Sequence, residues 1–543
     1  MDQAEIPSAE TIAIEFKRDK SLPKNVIYEE VVALANSGGG DLYLGVEDNG
    51  EISGADPHHR NSTELEAQIG ENTIPCISVR VEILDTEPPV AHISVPSSPV
   101  IYATRRGKVL RRRTKADGSP ETVPFYPYEY NSRLSDMGKL DYTAQLVPEL
   151  TVDDFDETEI ERLRNSISKS QGGDRSLLDL TPLDLLSALR LLQDGTPTVA
   201  GLLIVGKPEV IARHLPASQS VFHVLVGTEA RINEDLPLPI IAAVDRASQL
   251  FSASNAITEV EDGVRIIRVP DFDSQAFREG LINAFSHRDY TMLGQTIVKM
   301  DSEGLTISNP GGFIEGITLK NLLNASPRSR NPLLADVLKR AGLAEKMGRG
   351  IDRIFEGSAV YGKPLPDYSL TTQREVNLFI ARSEPDRSFI SMVAEQGEKR
   401  SISLAQLMVL DTLRQDTRAT AAEIDDELDL GHERARSVLE RLVAWGAVEA
   451  HGEGNGRTYL LDAHYYKRAG RVPEHVRQVR TEREGQKETI LRLAAEQGSV
   501  TTRGVSELLH VGTATARRLI RQLENAGKLV KHGSTRDTVY RLP

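Results

Sequence analysis

The order of apolar and polar positions divides the chain into three stretches of different character. In the first 125 residues, an apolar run with helical spacing at Ile27 to Ala35 precedes a glycine run and a strand over Asp41 to Glu47. Strands follow over Val79 to Leu84 and Val90 to Val95, then a basic strand pair around Tyr102 to Arg113. Residues Asp117 to Tyr130 are rich in proline and turn formers and read as a linker. Asp153, Asp154, Asp156 and Glu157 follow Thr151, the acid-rich signature of a helix start, and two further helices are expected after it. Thr198 to Val205 and Ser220 to Gly227 read as buried strands, and Pro239 to Ser252 and Gln275 to Phe285 as helices. Thr296 to Met300 and Gly304 to Ser308 alternate like a hairpin, and Asn309 to Gly312 reads as a tight turn. The polar segment Glu384 to Arg400 is expected to be a second linker.

The last 140 or so residues repeat one plan twice: three amphipathic helices and a short hairpin, the winged-helix pattern. In the first copy, helices over Thr420 to Leu428 and Glu433 to Trp445 precede a hairpin over Val448 to Leu461. In the second, Val505 to Leu509, a turn at His510 to Gly512 and a helix over Thr513 to Ala526 precede a wing over Leu529 to Leu542. The segments RARSVLERLVAWGAVEAHG and ATARRLIRQLENAGKLVKHG align with each other and support both assignments together.

The resulting fold class is multidomain α/β and α+β. The expected boundaries are 1–125 for an N-terminal domain, 126–150 for a linker, 151–383 for a middle region, 401–465 for winged helix 1 and 475–543 for winged helix 2. A length of 543 residues exceeds what one core supports, and 39% hydrophobic residues suffice for several. No stretch reaches the roughly 18 consecutive apolar residues of a membrane span, and MDQAEIPSAE lacks the pattern of a signal peptide, so no membrane partner and a cytoplasmic location are expected. The single cysteine, Cys76, excludes an intrachain disulfide and a cysteine-rich zinc site, and is expected to be a buried small hydrophobe.

Net charge is −14, which argues against indiscriminate coating of nucleic acid, yet basic charge is concentrated in two places. Arg105, Arg106, Lys108, Arg111, Arg112, Arg113 and Lys115 face only Asp117 between Ile101 and Pro120. The stretch from Arg471 to the end carries a net +6, whereas Ser401 to Leu460 carries −5. Local clusters are what phosphate contacts require, because counterion release rewards neutralising phosphates one by one. In the second winged helix, Thr513 and Thr515 permit close approach to a backbone, while Arg517, Arg518 and Arg521 reach bases or phosphates, and Lys531 and Arg536 extend the surface onto the wing. The first winged helix, with its acidic second helix, is better suited to protein contact or dimerisation, and a homo-oligomer is expected.

Glu10 and Glu15 stand five residues apart in ETIAIEFK, followed by Asn36-Ser-Gly-Gly-Gly40 and by Gly45-Val-Glu47-Asp48. These elements resemble the Schlafen AlbA-type domain, with its E-x4-E-F-K, A-N-x-x-G-G and G-V-x-D elements in order, over about residues 5–125. The resemblance implies a nucleic-acid-binding module or, as in Schlafen nucleases, a metal-dependent enzyme acting on structured RNA. Under the second reading Glu10, Glu15 and Asp48 are the catalytic acids, with Lys17 beside them, and they would bind Mg2+ or Mn2+ that activates water for phosphodiester cleavage. Ordinary ion pairing of Glu15 and Lys17 is the plainer alternative.

A third constellation runs from Phe277-Arg-Glu279 through Asn283 and His287-Arg-Asp-Tyr290 to Asn309-Pro-Gly311-Gly312 and Gly348-Arg-Gly350. Glu279 and Asn283 share a helix face, a spacing suited to orienting water and to magnesium on a triphosphate. This pattern resembles the divergent GHKL-type ATPase region, about 265–383, often labelled RecG-like C-terminal, and implies ATP as a cofactor held by Glu279, Asn283, Asn309, Gly311, Gly312, Gly348 and Gly350. The usual D-x-G-x-G is replaced by Asn309-Pro-Gly-Gly, the lid glycines shrink to Gly348-x-Gly350, and no G-x4-G-K-[ST] loop supports a helicase. Two functions remain: a DNA-binding transcriptional regulator with a nucleotide-sensing middle, or a Schlafen-like nuclease effector in stress or antiphage defence, with DNA and/or structured RNA as partner.

Overall fold

The computed structural model describes residues 6–97, 100–115, 118–262, 265–314, 316–344, 349–416, 418–452, 456–479, 486–509, 513–532 and 538–543. In the N-terminal region the elements are β1 (Ile14–Lys17), α1 (Lys24–Asn36), β2 (Gly40–Leu44), α2 (Ser62–Glu71), β3 (Thr73–Ile74), β4 (Arg80–Leu84), β5 (Val90–Val95), β6 (Ala103–Thr104), β7 (Leu110–Thr114) and β8 (Pro120–Pro124). One sheet has the order β1-β2-β5-β4, with β1 parallel to β2 and the other pairs antiparallel. Helix α1 covers it through Ile27, Val31 and Leu34, the i, i+4, i+7 stripe that drives the packing. The turn from α1 into β2 needs glycine: Gly40 has φ of 148°, and a Cβ there would strike the Ala13 carbonyl. The basic strands do not pair with each other as expected; β6 pairs with β3, and β7 pairs with β8, inside the presumed linker. Cys76 is exposed, not buried.

The middle region comprises α3 (Tyr130–Asp136), α4 (Glu157–Lys169), α5 (Pro182–Ala188), β9 (Leu192–Gln193), β10 (Thr196–Pro197), α6 (Val199–Val205) and α7 (Pro208–His214). It continues with β11 (Ser220–Val226), β12 (Glu229–Leu236), α8 (Ile240–Ser254), β13 (Ile257–Asp262), β14 (Arg265–Pro270), α9 (Ser274–His287), β15 (Thr296–Met300), β16 (Gly304–Pro310), α10 (Pro332–Arg340), α11 (Gly350–Ala359) and β17 (Glu375–Ala381). Its main sheet has the order β12-β11-β15-β16-β17. Helix α9 lies on this sheet at Gly280, where a Cβ would come within 2.8 Å of Leu378 and 3.1 Å of Ile307.

Three expectations are corrected here. The apolar run after Thr198 is helix α6, because the Thr198 side chain caps it by accepting from Gly201 N at 3.1 Å, and a run buried on every side has no period to tell strand from helix. Asn309 and Pro310 are not a turn but the end of β16, opposite Val376 and Glu375. The presumed linker is docked: Asp136 of α3 pairs with Arg330 at 2.5 Å, Ser132 donates to Asp289, and Asp141 accepts from Leu333 N at 2.7 Å.

The C-terminal region starts earlier than expected, with α12 (Arg387–Lys399) in the supposed polar linker. Asp386 caps this helix from its side chain, and Phe389, Ile390, Met392 and Val393 bury one face. The first winged helix follows as α13 (Leu404–Asp416), β18 (Ala419–Thr420), α14 (Ala421–Leu428), α15 (His432–Trp445), β19 (Val448–His451) and β20 (Thr458–Leu461). Then come α16 (Ala463–Arg468), α17 (Val472–Val479) and the second winged helix: α18 (Gln486–Gln497), α19 (Thr502–Leu509), α20 (Thr513–Asn525), β21 (Val530–His532) and β22 (Val539–Arg541). A single apolar core runs from Leu150 to Tyr466 and joins the middle region to the first winged helix. The N-terminal region and the second winged helix have cores of their own.

Candidate functional site

Helix α20 turns Ala516, Leu519, Ile520 and Leu523 into its core. That rotation leaves Thr513, Arg517, Arg518 and Arg521 exposed, with Thr515 half-buried at the edge of the face. The three arginines make no salt bridge with any described residue, and Lys531 on β21 is likewise exposed. Arg536 and the turn His510 to Gly512 lie outside the described residues. An uncompensated guanidinium row on the outer face of the third helix is suited to phosphate and base-edge contact.

The N-terminal basic stretch divides differently. Arg112 is buried at 2% exposure and bonds inward to Glu15, to the Thr11 carbonyl at 3.1 Å and, through its backbone N–H, to Ser37 at 2.7 Å. It therefore cannot meet a nucleic acid. Arg111 pairs with Glu129, Arg113 with Glu121 and Lys108 with Glu29. Arg105 and Arg106 remain exposed and outside any salt bridge with a described residue.

The expected carboxylate set is also rearranged. Glu15 is 5% exposed, and its two oxygens face Lys17 and Arg112. Glu10 accepts from Phe16 N at 2.9 Å. Glu30 of α1 joins them, 3.5 Å from Lys17 and 3.7 Å from Arg112, and accepts from Thr122. Burial pulls the Arg112 guanidinium below its ordinary pKa, and Glu30 and Glu10 pull it back. Asp48 instead lies exposed in the turn after β2. Among the described residues no group of three or more His, Cys, Asp or Glu side chains is gathered to hold a metal ion, and both Glu15 oxygens already face cationic side chains. Sequence reasoning missed Glu30, although its signal was there: it stands three residues after Ile27 and four before Leu34, on the buried stripe of α1. Asn36 proves to be a clamp, bonding the carbonyls of Tyr102 and Leu110 at 2.9 and 2.8 Å and accepting from Tyr102 N.

In the middle region, α9 and α11 bring Glu279, Asn283 and Gly350 together. A Cβ on Gly350 would lie 2.9 Å from the Glu279 carboxylate and 3.8 Å from the Asn283 amide, and Arg353 pairs with Glu279 at 3.3 Å. Gly348 lies outside the described residues. Asn309 is buried and bonds the neighbouring Pro310 carbonyl at 3.3 Å. Beside Gly311, whose φ is 93°, the Arg330 guanidinium takes the space a side chain would need. Arg330 also donates to the Gly312 carbonyl at 2.9 Å and the His287 carbonyl at 2.6 Å. The α9–α11 end thus offers a carboxylate, an amide and a helix N-terminus, a set able to hold a metal–phosphate group, while the glycine end is filled by Arg330.

Comparison with known families finds four matches along the chain. Residues 10–118 match the family "Schlafen, AlbA_2", and 132–220 match a domain of unknown function, DUF8451. Residues 294–380 match the family "Putative ATP-dependent DNA helicase recG C-terminal", and 487–535 match the "DeoR-like helix-turn-helix domain". The first winged helix lies outside all four. No curated protein matches the chain. The crystal structure of the DIP2311 protein from Corynebacterium diphtheriae matches over 98% of this chain and 95% of that one, with 21% sequence identity and a TM-score of 0.51. That likeness is one of fold.

Proposed function

We propose that this protein is a DNA-binding transcriptional regulator whose second winged helix makes the principal DNA contact and whose middle region senses a nucleotide. The observation that carries the reading is the face of α20, where Arg517, Arg518 and Arg521 project outward without carboxylate partners among the described residues. Most N-terminal basic residues are paired, by contrast, so phosphate contact falls first to α20. Its match to a DeoR-like helix-turn-helix supports the same assignment. Arg105 and Arg106 add backbone contacts from the N-terminal module. ATP is the nucleotide proposed, with Glu279, Asn283 and the Gly348–Gly350 segment holding its phosphate end and the base lying toward Asn309, Gly311 and Gly312, where Arg330 would have to move aside.

The second reading, a nuclease, draws on the gathering of Glu10, Glu15 and Lys17 at β1. The occupied state of Glu15 weighs against it. The two are separated by incubating the full chain with labelled duplex DNA and with transfer RNA, with and without Mg2+ or Mn2+, beside a Glu10→Ala/Glu15→Ala/Asp48→Ala variant. Retention of DNA without cleavage is expected. Metal-dependent cleavage that the variant loses would overturn the regulator reading in favour of the nuclease.

A further inference from the structure

Helix α17 belongs to the core of the second winged helix, where Val472 and Val476 are buried. On the same helix His475 is also buried, at 3% exposure. Its Nε2 lies 2.9 Å from Glu449, on strand β19 of the first winged helix, and its Nδ1 lies 2.9 Å from Glu496, on α18 of the second. Both ring nitrogens can donate only when the imidazole is protonated, and a buried cation between two carboxylates is the arrangement that satisfies all three groups. Tyr466 of α16 packs against the ring at 5.2 Å between centroids.

We infer that His475, held as an imidazolium between Glu449 and Glu496, locks the two winged helices into one rigid body. The second unit is then presented to DNA at a fixed angle to the first, which rests on the proposed DNA-binding function only in its consequence and not in its geometry. The surrounding charges agree with this. On β19 Glu449 also meets His451 at 3.4 Å and accepts from Ala463 N at 2.9 Å. On α17 and just before it, Glu474 is engaged by Arg471 at 2.7 Å. On α19, which packs on α17, Arg503 and Glu507 pair with each other at 2.8 Å. Among the described residues His451 reaches Glu449 alone, whereas His475 touches both Glu449 and Glu496, so its imidazolium is the charge that joins the two carboxylates.

Burial disfavours the charged ring, but the two carboxylates outweigh it and raise His475 to about 9. A histidine with a raised folded-state pKa stabilises most strongly below its unfolded value near 6.5 and loses that contribution as pH climbs through about 9. Deprotonation leaves one carboxylate without its donor and two like charges facing across the junction.

The test uses the full chain carrying Cys76→Ser, with spin labels at Ser437→Cys on α15 and Asn525→Cys on α20, both exposed positions. A single narrow label-to-label distance is expected at pH 7. It should broaden at least twofold in the parent at pH 10 and in a His475→Gln variant at pH 7, while Glu496→Gln gives an intermediate width. Histidine-labelled NMR of the parent should show one ring, absent from His475→Gln, titrating well above pH 7. Equal widths under all conditions, or a His475 ring that titrates at or below pH 7, would overturn the lock. The alkaline arm needs no substitution, so a misfolded variant does not remove the test. Distances that behave as expected in a chain that binds no DNA would leave the lock standing and the DNA-binding function refuted.

Discussion

Arg112 and Arg517 are both arginines in basic runs, and their surroundings give them opposite tasks. Arg112 is enclosed among Glu15, Glu30 and Lys17, where removing one partner of a buried ion network leaves uncompensated charge. Arg112→Met is therefore expected to destabilise the N-terminal region by about 3–5 kcal/mol. Denaturant unfolding followed by a probe in that region would check it, and a loss below about 1 kcal/mol would show that the network is slack. The sequence could not distinguish the two arginines, because RRRTK reads as a run whereas strand β7 alternates, sending Arg112 inward and Arg111 and Arg113 outward. Arg330 was invisible for a related reason. Its task is set by Asp136 and by carbonyls 18 and 43 positions away, which no local pattern records.

Elements with a clear period were legible. Helices α1, α8, α9, α15 and α20 and the β15–β16 hairpin lie where the apolar spacing puts them. Elements whose identity depends on a cap or on tertiary pairing were not: α6 read as a strand, α12 and β8 as linker, and the end of β16 as a turn. The same division applies to the candidate sites. The i, i+4 pair Glu279 and Asn283 was readable, and its approach to Gly350 depends on α9 and α11 packing together with no side chain between them. Gly350→Val should wedge the two helices apart. Titration with a fluorescent ATP analogue should then show affinity reduced at least tenfold, roughly 1.4 kcal/mol or more. Unchanged affinity would place the nucleotide elsewhere.

Across the whole molecule, stability should be limited by different histidines on the two sides of neutrality. His287, at the end of α9 beside Arg330, is pushed down to about 4 by desolvation and by the guanidinium charge. The folded state thus binds fewer protons than the unfolded chain, so stability should fall as pH drops from about 6.5 toward 4, and His287→Gln should flatten that limb in thermal melts. An acid limb identical in the variant would assign the loss to other groups. On the alkaline side the His475 junction gives way first, separating the modules without unfolding them. The modules themselves are joined unequally: the first winged helix shares the large core with the middle region, while the second hangs on its own core and the clamp.

The claim on which the functional reading rests is that α20 contacts phosphates. Binding of a labelled duplex, measured across 50 to 300 mM salt as an order-of-magnitude working range, reports those contacts as a slope of affinity against salt. Arg517→Ala with Arg518→Ala is expected to weaken binding and to reduce the slope by about 2, close to one per lost contact. A slope equal to that of the parent chain would remove α20 from the interface and contradict the assignment.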